Sequence, residues 1–409
     1  MARHDRRDRL RAHRSAALSA PTSKKSRFAS RIEGLTQSDI RRMSIECARV
    51  GGINLGQGIC DQPVDSGIKS AAIDAIQSDR SIYTRLDGID ELRARIATKM
   101  RAYNGVTCSA EGEVVVSIGS TGAFVTACMA FVEPGDEVVL FSPFYSYHHN
   151  ILKVCGATLK FVTLRPPDWS FDDAALEAAF GPRTKMVVVN TPSNPSGKVF
   201  SRAELERIGE LCRKHDALCL TDEIYEYILY DGRRHVSMAS LPGMEDRTIT
   251  LSGFSKTYAM TGWRLGYAVA RRELASRMAL LNDLINICAP SPLQYGVVAA
   301  FDLPAGYYTA MQEDYAVKRD MTAAACRDAG LTPFVPQGSY YMLADFTRLG
   351  FADDQEAAKL ILERAGVAVI PGSSFYADPA DGRRQVRLCY AKKMPDLEEA
   401  CRRIRSLAK

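Results

Sequence analysis

No stretch of the 409 residues is apolar for long enough to span a bilayer, and the basic amino terminus has no apolar segment of the kind a secretory signal needs. Cysteine is present without a pattern. There are eleven, an odd number with no C-x-x-C pair, which argues against a disulfide framework or a zinc site and for a reducing cytoplasm. Histidine is scarce: six residues, none in H-E-x-x-H spacing, and the His148-His149 pair has no carboxylate near it, so no metal is expected. Internal repeats and low-complexity segments are also missing. The net charge of +5 is no property of the whole chain, because residues 1–28 hold nine Lys/Arg against Asp5 and Asp8, a local charge of +7. The remaining 381 residues therefore carry −2, so the body is no basic nucleic-acid binder. The segment 1–28 has few apolar anchors and reads as a disordered, solvated tail.

What is there is a regular alternation. Val114–Ile118, Glu137–Phe141, Leu159–Thr163, Met186–Asn190, Leu218–Thr221, Thr248–Leu251 and Gly266–Ala270 are short apolar runs. Helical segments separate most of them, notably 202–215, which opens on Ser201 with Glu204 at the third helical position. Such runs, buried on both sides, predict a mostly parallel seven-stranded sheet between helices, an α/β fold in which ligands sit beyond the carboxyl ends of the strands. After residue 300 the texture changes to a smaller α+β domain. The expected division is a tail (1–28), an arm contributing to the smaller domain (29–60), a large domain (61–300) and a small C-terminal domain (301–409).

Chemistry concentrates where these runs end. Thr248–Leu251 leads into Ser252-Gly-Phe-Ser-Lys256, with Arg264 eight residues further on among Ser, Thr and Gly. A lysine beside a permanent guanidinium has its ammonium form disfavoured and can attack an aldehyde to form a Schiff base. An aldehyde cofactor that carries a phosphate, such as pyridoxal phosphate, would use Lys256 for the aldehyde and Ser252 and Arg264 for the phosphate. Gly119-Ser-Thr-Gly122 lies at a strand-to-helix junction, either a tight turn or an anion cradle. Asp222 closes its strand, either as a helix cap or as the carboxylate that keeps a pyridine nitrogen protonated, with Tyr225 three residues on. Asn194-Pro-Ser-Gly makes a turn whose amide could bond a ring oxygen, and Tyr145 is either rim packing or a stacking platform. Arg387, in an otherwise apolar strand, must be paired, either with an internal carboxylate or with that of a substrate.

As a set, Tyr83-Thr-Arg…Gly88, Gly119-Ser-Thr-Gly, Pro143-x-Tyr145, Asn194-Pro-Ser-Gly, Asp222-Glu-x-Tyr225, Ser252…Lys256…Arg264 and Arg387 resemble the class I/II aminotransferases of pyridoxal-phosphate fold type I. Asn54-Leu-Gly-Gln-Gly58 and Ser240-Leu-Pro-Gly-Met244 are similar to the kynurenine/glutamine and aromatic branch. The resemblance covers about residues 30–405. It implies that Lys256 binds the cofactor and shuttles the Cα proton, that Asp222 holds the ring nitrogen, and that Asn194 and Tyr225 bond the ring oxygen. Tyr145 would stack on the ring. Ser120, Thr121, Ser252 and Arg264 would bind the phosphate, with Tyr83 donated by a second subunit of a homodimer. Arg387, Asn194 and the Gly58 backbone would take the substrate carboxylate.

Departures from that branch fall at Ile59-Cys-Asp-Gln62 and at Ile287 and Cys288, where the substrate side chain is expected. A second arginine for a dicarboxylic substrate is not obvious, Arg85 being the candidate. Transamination is the expected reaction. Elimination, replacement or cyclisation at the β or γ carbon, as in related enzymes acting on S-adenosylmethionine, is the alternative. A third class, regulators that fuse this fold to a DNA-binding winged helix, needs more than 28 residues ahead of the fold.

Overall fold

A computed structural model of the chain describes residues 27–33, 35 and 37–408, so the expectation for the tail lies almost wholly outside the described residues. After a first helix, Asp39–Arg49, comes a two-residue strand, β1 (Ile53–Asn54). Seven strands then form one sheet: β2 (Val114–Ile118), β3 (Glu137–Ser142), β4 (Thr158–Thr163), β5 (Thr184–Asn190), β6 (Leu218–Asp222), β7 (Thr248–Gly253) and β8 (Leu265–Val269). Their order is β2-β8-β7-β6-β5-β3-β4, with only β8 antiparallel to its neighbours. This is the mostly parallel α/β sheet the apolar runs predict.

Alternate residues of each strand serve opposite faces, as the two-residue period requires. Val138 and Leu140 of β3, with Met186, Val188, Leu220 and Ile249, pack against Phe124 and Met278 of the helices Gly119–Phe131 and Arg272–Asn286. Val139 and Phe141, with Val187, Val189 and Cys219, face the other way onto Leu205, Ile208 and Leu211 of Arg202–Lys214. Each such side chain contributes about 1.5–3 kcal/mol when fully buried, which is why the strands tolerate so little polarity. The helix Arg202–Lys214 starts on the capping box read from sequence, with Ser201 Oγ accepting from Glu204 N–H and Glu204 Oε2 accepting from Ser201 N–H.

Four further strands, β9 (Thr332–Phe334), β10 (Tyr341–Asp345), β12 (Ile370–Pro371) and β13 (Gln385–Cys389), form an antiparallel sheet in the order β12-β13-β10-β9. A short strand between them in sequence, β11 (Val367–Ala368), pairs in parallel with β1. The early segment is thus tied to the late one. The extended stretch that begins at Ile53 is only two residues long. After Asn54 the chain turns, because the Asn54 side chain accepts from the N–H groups of Gly56 and Gln57. The helix Asp90–Lys99 passes into a wider turn, Met100–Asn104, closed by Gly105 in the left-handed region.

Candidate active site

The parallel strands bring their carboxyl ends to one edge of the large sheet. Because β8 runs the opposite way, its amino end, and Arg264 just before it, meets the carboxyl end of β2 at that same edge. Between this edge and the smaller sheet lies a cleft of about 550 Å³. Gly58, Ser120, Thr121, Tyr145, Asn194, Asp222, Tyr225, Lys256, Arg264 and Arg387 all line it.

Lys256 reaches across the cleft, where its Nζ donates to Gly58 O at 3.1 Å. Its pKa is lowered to about 8, chiefly by burial; Asp222 acts in the opposite direction, and Arg264 is a minor contributor. The neighbouring guanidinium, expected from sequence to lower it, is not the main cause. The structure corrects this: enclosure by Tyr225 and Tyr340, whose ring centroids lie 5.8 and 5.5 Å from Nζ, dominates. Gly58 is sterically required here, since a Cβ on it would fall 1.7 Å from the Tyr341 hydroxyl.

Asp222 is buried at the end of β6. One carboxylate oxygen accepts from Ile224 N–H at 3.2 Å, and the other is hydrogen-bonded to His148 Nε2 at 3.0 Å. The statement that the His148-His149 pair lacks a carboxylate is therefore corrected. Seventy-four residues separate the partners, and the His148 ring is held by stacking on Phe124, at 4.4 Å between centroids, and by the edge contact with Tyr145 at 5.3 Å. Tyr225 is buried, its hydroxyl donating to Tyr341 Oη at 3.3 Å, and desolvation pushes its pKa well up.

An anion cradle forms where Gly119–Phe131 begins. Gly119 adopts φ +67°, and a Cβ there would meet Arg264 Nη2 at 2.6 Å. One on Gly266 would meet Ser120 N at 2.4 Å. Glycine at both positions lets the strand, the helix amino terminus and the guanidinium close around one space. Arg264 itself sits at φ +56° and donates to Thr261 O at 2.9 Å, with no carboxylate partner among the described residues. Unpaired helical N–H groups, two hydroxyls and a guanidinium suit a phosphate monoester.

Arg387 is 1% exposed. Its Nη1 donates to Asn194 Oδ1 at 2.9 Å and its Nη2 to Gly56 O at 2.5 Å, while Nε has no partner. The rings of Tyr341 and Phe375 flank it at 4.4 and 4.5 Å. It has no internal carboxylate among the described residues.

Three sequence-selected residues are not brought to the cleft wall. Ser252 is buried with its hydroxyl donating to Glu226 Oε1 at 2.6 Å, because the strand's alternation turns it away; Ser255, three residues on, lines the cleft instead. Tyr83 stands on the outer surface, 76% exposed. Arg85 is engaged by Asp87 at 3.0 Å and lies off the wall as well. Beneath the site, Glu223, Glu226 and His235 form a compact group of metal-type ligands, but Lys99 sits 2.5 Å from Glu226 and supplies the cation there.

The family model for aminotransferase class I and II matches residues 50–404. Rat kynurenine–oxoglutarate transaminase 3 is 32% identical over 417 residues, covering 94% of this chain and 91% of its own. Among solved structures, N-succinyldiaminopimelate aminotransferase from Mycobacterium tuberculosis superposes with a TM-score of 0.90 at 34% identity, covering 93% of this chain and all of that one. YbdL from Escherichia coli, with a methionine aminotransferase function, gives 0.89 at 29% identity, covering 93% and 99%. The chain belongs to the class I and II aminotransferases, with their fold type I architecture and their dependence on pyridoxal phosphate. It is an enzyme that transfers amino groups, and the elimination or replacement alternative is not favoured.

Proposed function

We propose that Lys256 is the residue that holds the cofactor and moves the substrate's Cα proton, in the transfer of an amino group from an L-amino acid to a 2-oxo acid. When bound, pyridoxal phosphate supplies an aldehyde for the amino group and an electron-withdrawing ring that stabilises charge at Cα. Ser120, Thr121 and Arg264 take its phosphate, and Ser252 supports the loop through Glu226. Asp222, oriented by His148, faces the ring nitrogen. Asn194 and Tyr225 would bond the ring oxygen, and Tyr145 would stack on the ring. Arg387, Asn194 and the Gly58 backbone take the substrate carboxylate, so that the Cα–H points at Lys256. A lysine whose pKa lies near 8 is matched to accepting and returning a proton near neutrality.

The observation that carries the reading is Arg387: a buried guanidinium with an unsatisfied Nε in the cleft that the Lys256 amine enters. A carboxylate accepting from that N–H relieves an uncompensated buried donor, which gives substrate binding its driving force.

The same reading makes the enzyme a homodimer in which Tyr83 reaches the partner's phosphate site. Supporting this are the exposed apolar side chains Ile73, Ile76, Ile82, Leu284 and Ile285, an unusual surface for a lone chain. It also divides the chain into the arm 29–60 and the domains 61–300 and 301–409. A cytoplasmic site of action is supported by eleven free thiols, nine of them buried; no helix among the described residues is long and apolar enough to cross a membrane.

The test is a single turnover of the holoenzyme with a panel of amino acids and no 2-oxo acid. Stoichiometric conversion to the pyridoxamine form in the native protein, and none in Arg387→Ala at the same amino-acid concentration, supports the assignment. Equal conversion in both overturns it.

A further inference from the structure

Asp222 and Tyr225 line the cleft, whereas Glu223 and Glu226 of the same turn do not reach it and are buried. Glu223 is taken by His235 Nε2 at 2.7 Å and by Ser237 Oγ at 2.8 Å. Glu226 gathers donors from three other segments. Its Oε1 accepts from Lys99 Nζ at 2.5 Å and from Ser252 Oγ at 2.6 Å, and its Oε2 from Asn104 Nδ2 at 2.8 Å. Lys99 is enclosed in turn: its Nζ donates to Tyr267 Oη at 3.2 Å and lies 5.4 Å from the ring centroids of Tyr103 and Tyr227. Burial pushes the Glu226 carboxyl up, but Lys99, helped by His235 and Ser252, outweighs it and the pKa is lowered. The group is therefore an acceptor-only carboxylate at neutral pH.

The segments that meet at this carboxylate each present a residue to the cleft. Ser252 lies near the end of β7, four residues before Lys256. Tyr267 lies on β8, three residues after Arg264, and is paired with Ser252 across the sheet. Glu226 adjoins Tyr225, and its N–H closes the turn by donating to Glu223 O at 2.9 Å. The three segments are in close contact. A Cβ on Gly253 would fall 2.9 Å from Gly266 Cα and 3.2 Å from Ile224 Cδ1. A shift in where Glu226 holds Ser252 is passed to the lysine loop, because the packing leaves no space to absorb it.

We propose that Glu226, with Lys99 as its counter-ion, is a positioning residue for amino transfer. It touches neither substrate nor cofactor. It acts through Ser252, Tyr267 and the 222–226 turn, which set Lys256, Arg264 and Tyr225 relative to one another. This rests on the amino-transfer reading above, in which those three residues meet the cofactor. An amide in place of Glu226 leaves the Lys99 ammonium buried without a counter-charge, so the surrounding segments must shift to give it one or to admit water.

The experiment compares native protein with Ser252→Ala, Glu226→Gln and the double variant that joins Lys99→Met to Glu226→Gln. Ser252→Ala leaves the ion pair intact and cuts only its tie to the lysine loop. Three quantities are read: the pH profile of pyridoxal capture by the cofactor-free chain, cofactor retention by equilibrium dialysis, and melting temperature. Glu226→Gln is expected to weaken retention by roughly tenfold or more and to move the midpoint of capture by about half a pH unit. Ser252→Ala should move the same midpoint while the melting temperature stays nearly unchanged. The double variant removes both charges together and should recover most of what Glu226→Gln loses. Should Glu226→Gln not fold, Ser252→Ala decides alone. Native capture and retention in Ser252→Ala, with only a lower melting temperature in Glu226→Gln, make the pair ordinary structural support and overturn the assignment. If Lys256→Ala captures pyridoxal as the native chain does, the amino-transfer roles fail and this one with them.

Discussion

Arg387 Nη1 donates to Asn194 Oδ1 at 2.9 Å, across 193 residues of sequence and from the smaller sheet to the loop that follows β5. The contact joins the residue placed on the substrate carboxylate to the residue placed on the ring oxygen. Gly56 O satisfies the other terminal nitrogen, and the rings of Tyr341 and Phe375 remove water from both faces of the guanidinium. On the proposed roles, substrate binding and cofactor orientation would share one buried hydrogen bond.

Truncating Arg387 removes both functions at unequal cost. Arg387→Ala is expected to raise the KM for every amino donor by an amount equivalent to about 2–4 kcal/mol, the loss of a buried charge pair. Steady-state kinetics with several donors checks this: the effect should be uniform across side chains. Arg387→Lys should recover little, because an ammonium cannot bond Asn194, Gly56 and a carboxylate in one plane.

Lys256 titrates near pH 8, below its ordinary value of 10.5, because burial disfavours the ammonium form. Lowering the pKa increases the free amine at neutral pH, so the sign is towards reactivity. At pH 7 the fraction of reactive amine is about 300-fold larger than for an unperturbed lysine. The rate at which cofactor-free protein captures pyridoxal should rise with pH and level off above about 8. Lys256→Ala should show neither capture nor a borohydride-stable adduct, and turnover should be lost.

His148→Phe keeps a ring against Phe124 and deletes the hydrogen bond to Asp222. Hydrogen bonds to charged groups contribute about 1.5–3 kcal/mol, so cofactor retention should weaken by roughly ten- to a hundredfold. Equilibrium dialysis of the cofactor measures it. Thermal stability of the cofactor-free protein should change less, since the packing is conserved.

Gly58→Ala tests close packing. Its Cβ would overlap the Tyr341 hydroxyl, so either the 56–59 turn or the Tyr341 ring must shift, at about 1–3 kcal/mol. The Gly58 carbonyl would leave Lys256 with it. A lower melting temperature together with a shifted Lys256 pKa is expected; a variant with both unchanged would show that the turn relaxes freely.

Tyr83→Phe distinguishes the shared site from a self-contained one. If Tyr83 serves a partner's phosphate site, the variant should lose cofactor affinity, by about 0.5–1.5 kcal/mol for one hydrogen bond, and sedimentation should show a dimer in both proteins. A monomer that retains full cofactor affinity would remove Tyr83 from the site.

The element pattern was legible in the sequence because it is local. The alternation of Val138 and Leu140 with Val139 and Phe141 follows from a two-residue period, and the start of Arg202–Lys214 from a capping box spanning four positions. The residues of the cleft were legible for a related reason: a carboxylate, an amide and a lysine stand just where strands end, parallel strands end together, and Arg387 stood out as a charge inside an apolar strand. Ser252 was misplaced because that rule gives the edge but not the direction of a side chain within it.

By itself, the sequence determined the doubly covered sheet, the family, and nearly all of the groups that meet in the cleft. Tertiary structure alone decided three things that no window of sequence contains. It set His148 behind Asp222 across 74 residues, enclosed Lys256 so that burial rather than charge lowers its pKa, and paired Lys99 with Glu226 beneath the cleft. Each depends on segments far apart in the chain closing on one another. Hydrophobic burial drives that closure without regard to sequence separation, so the chemistry it creates is visible only after the chain has folded.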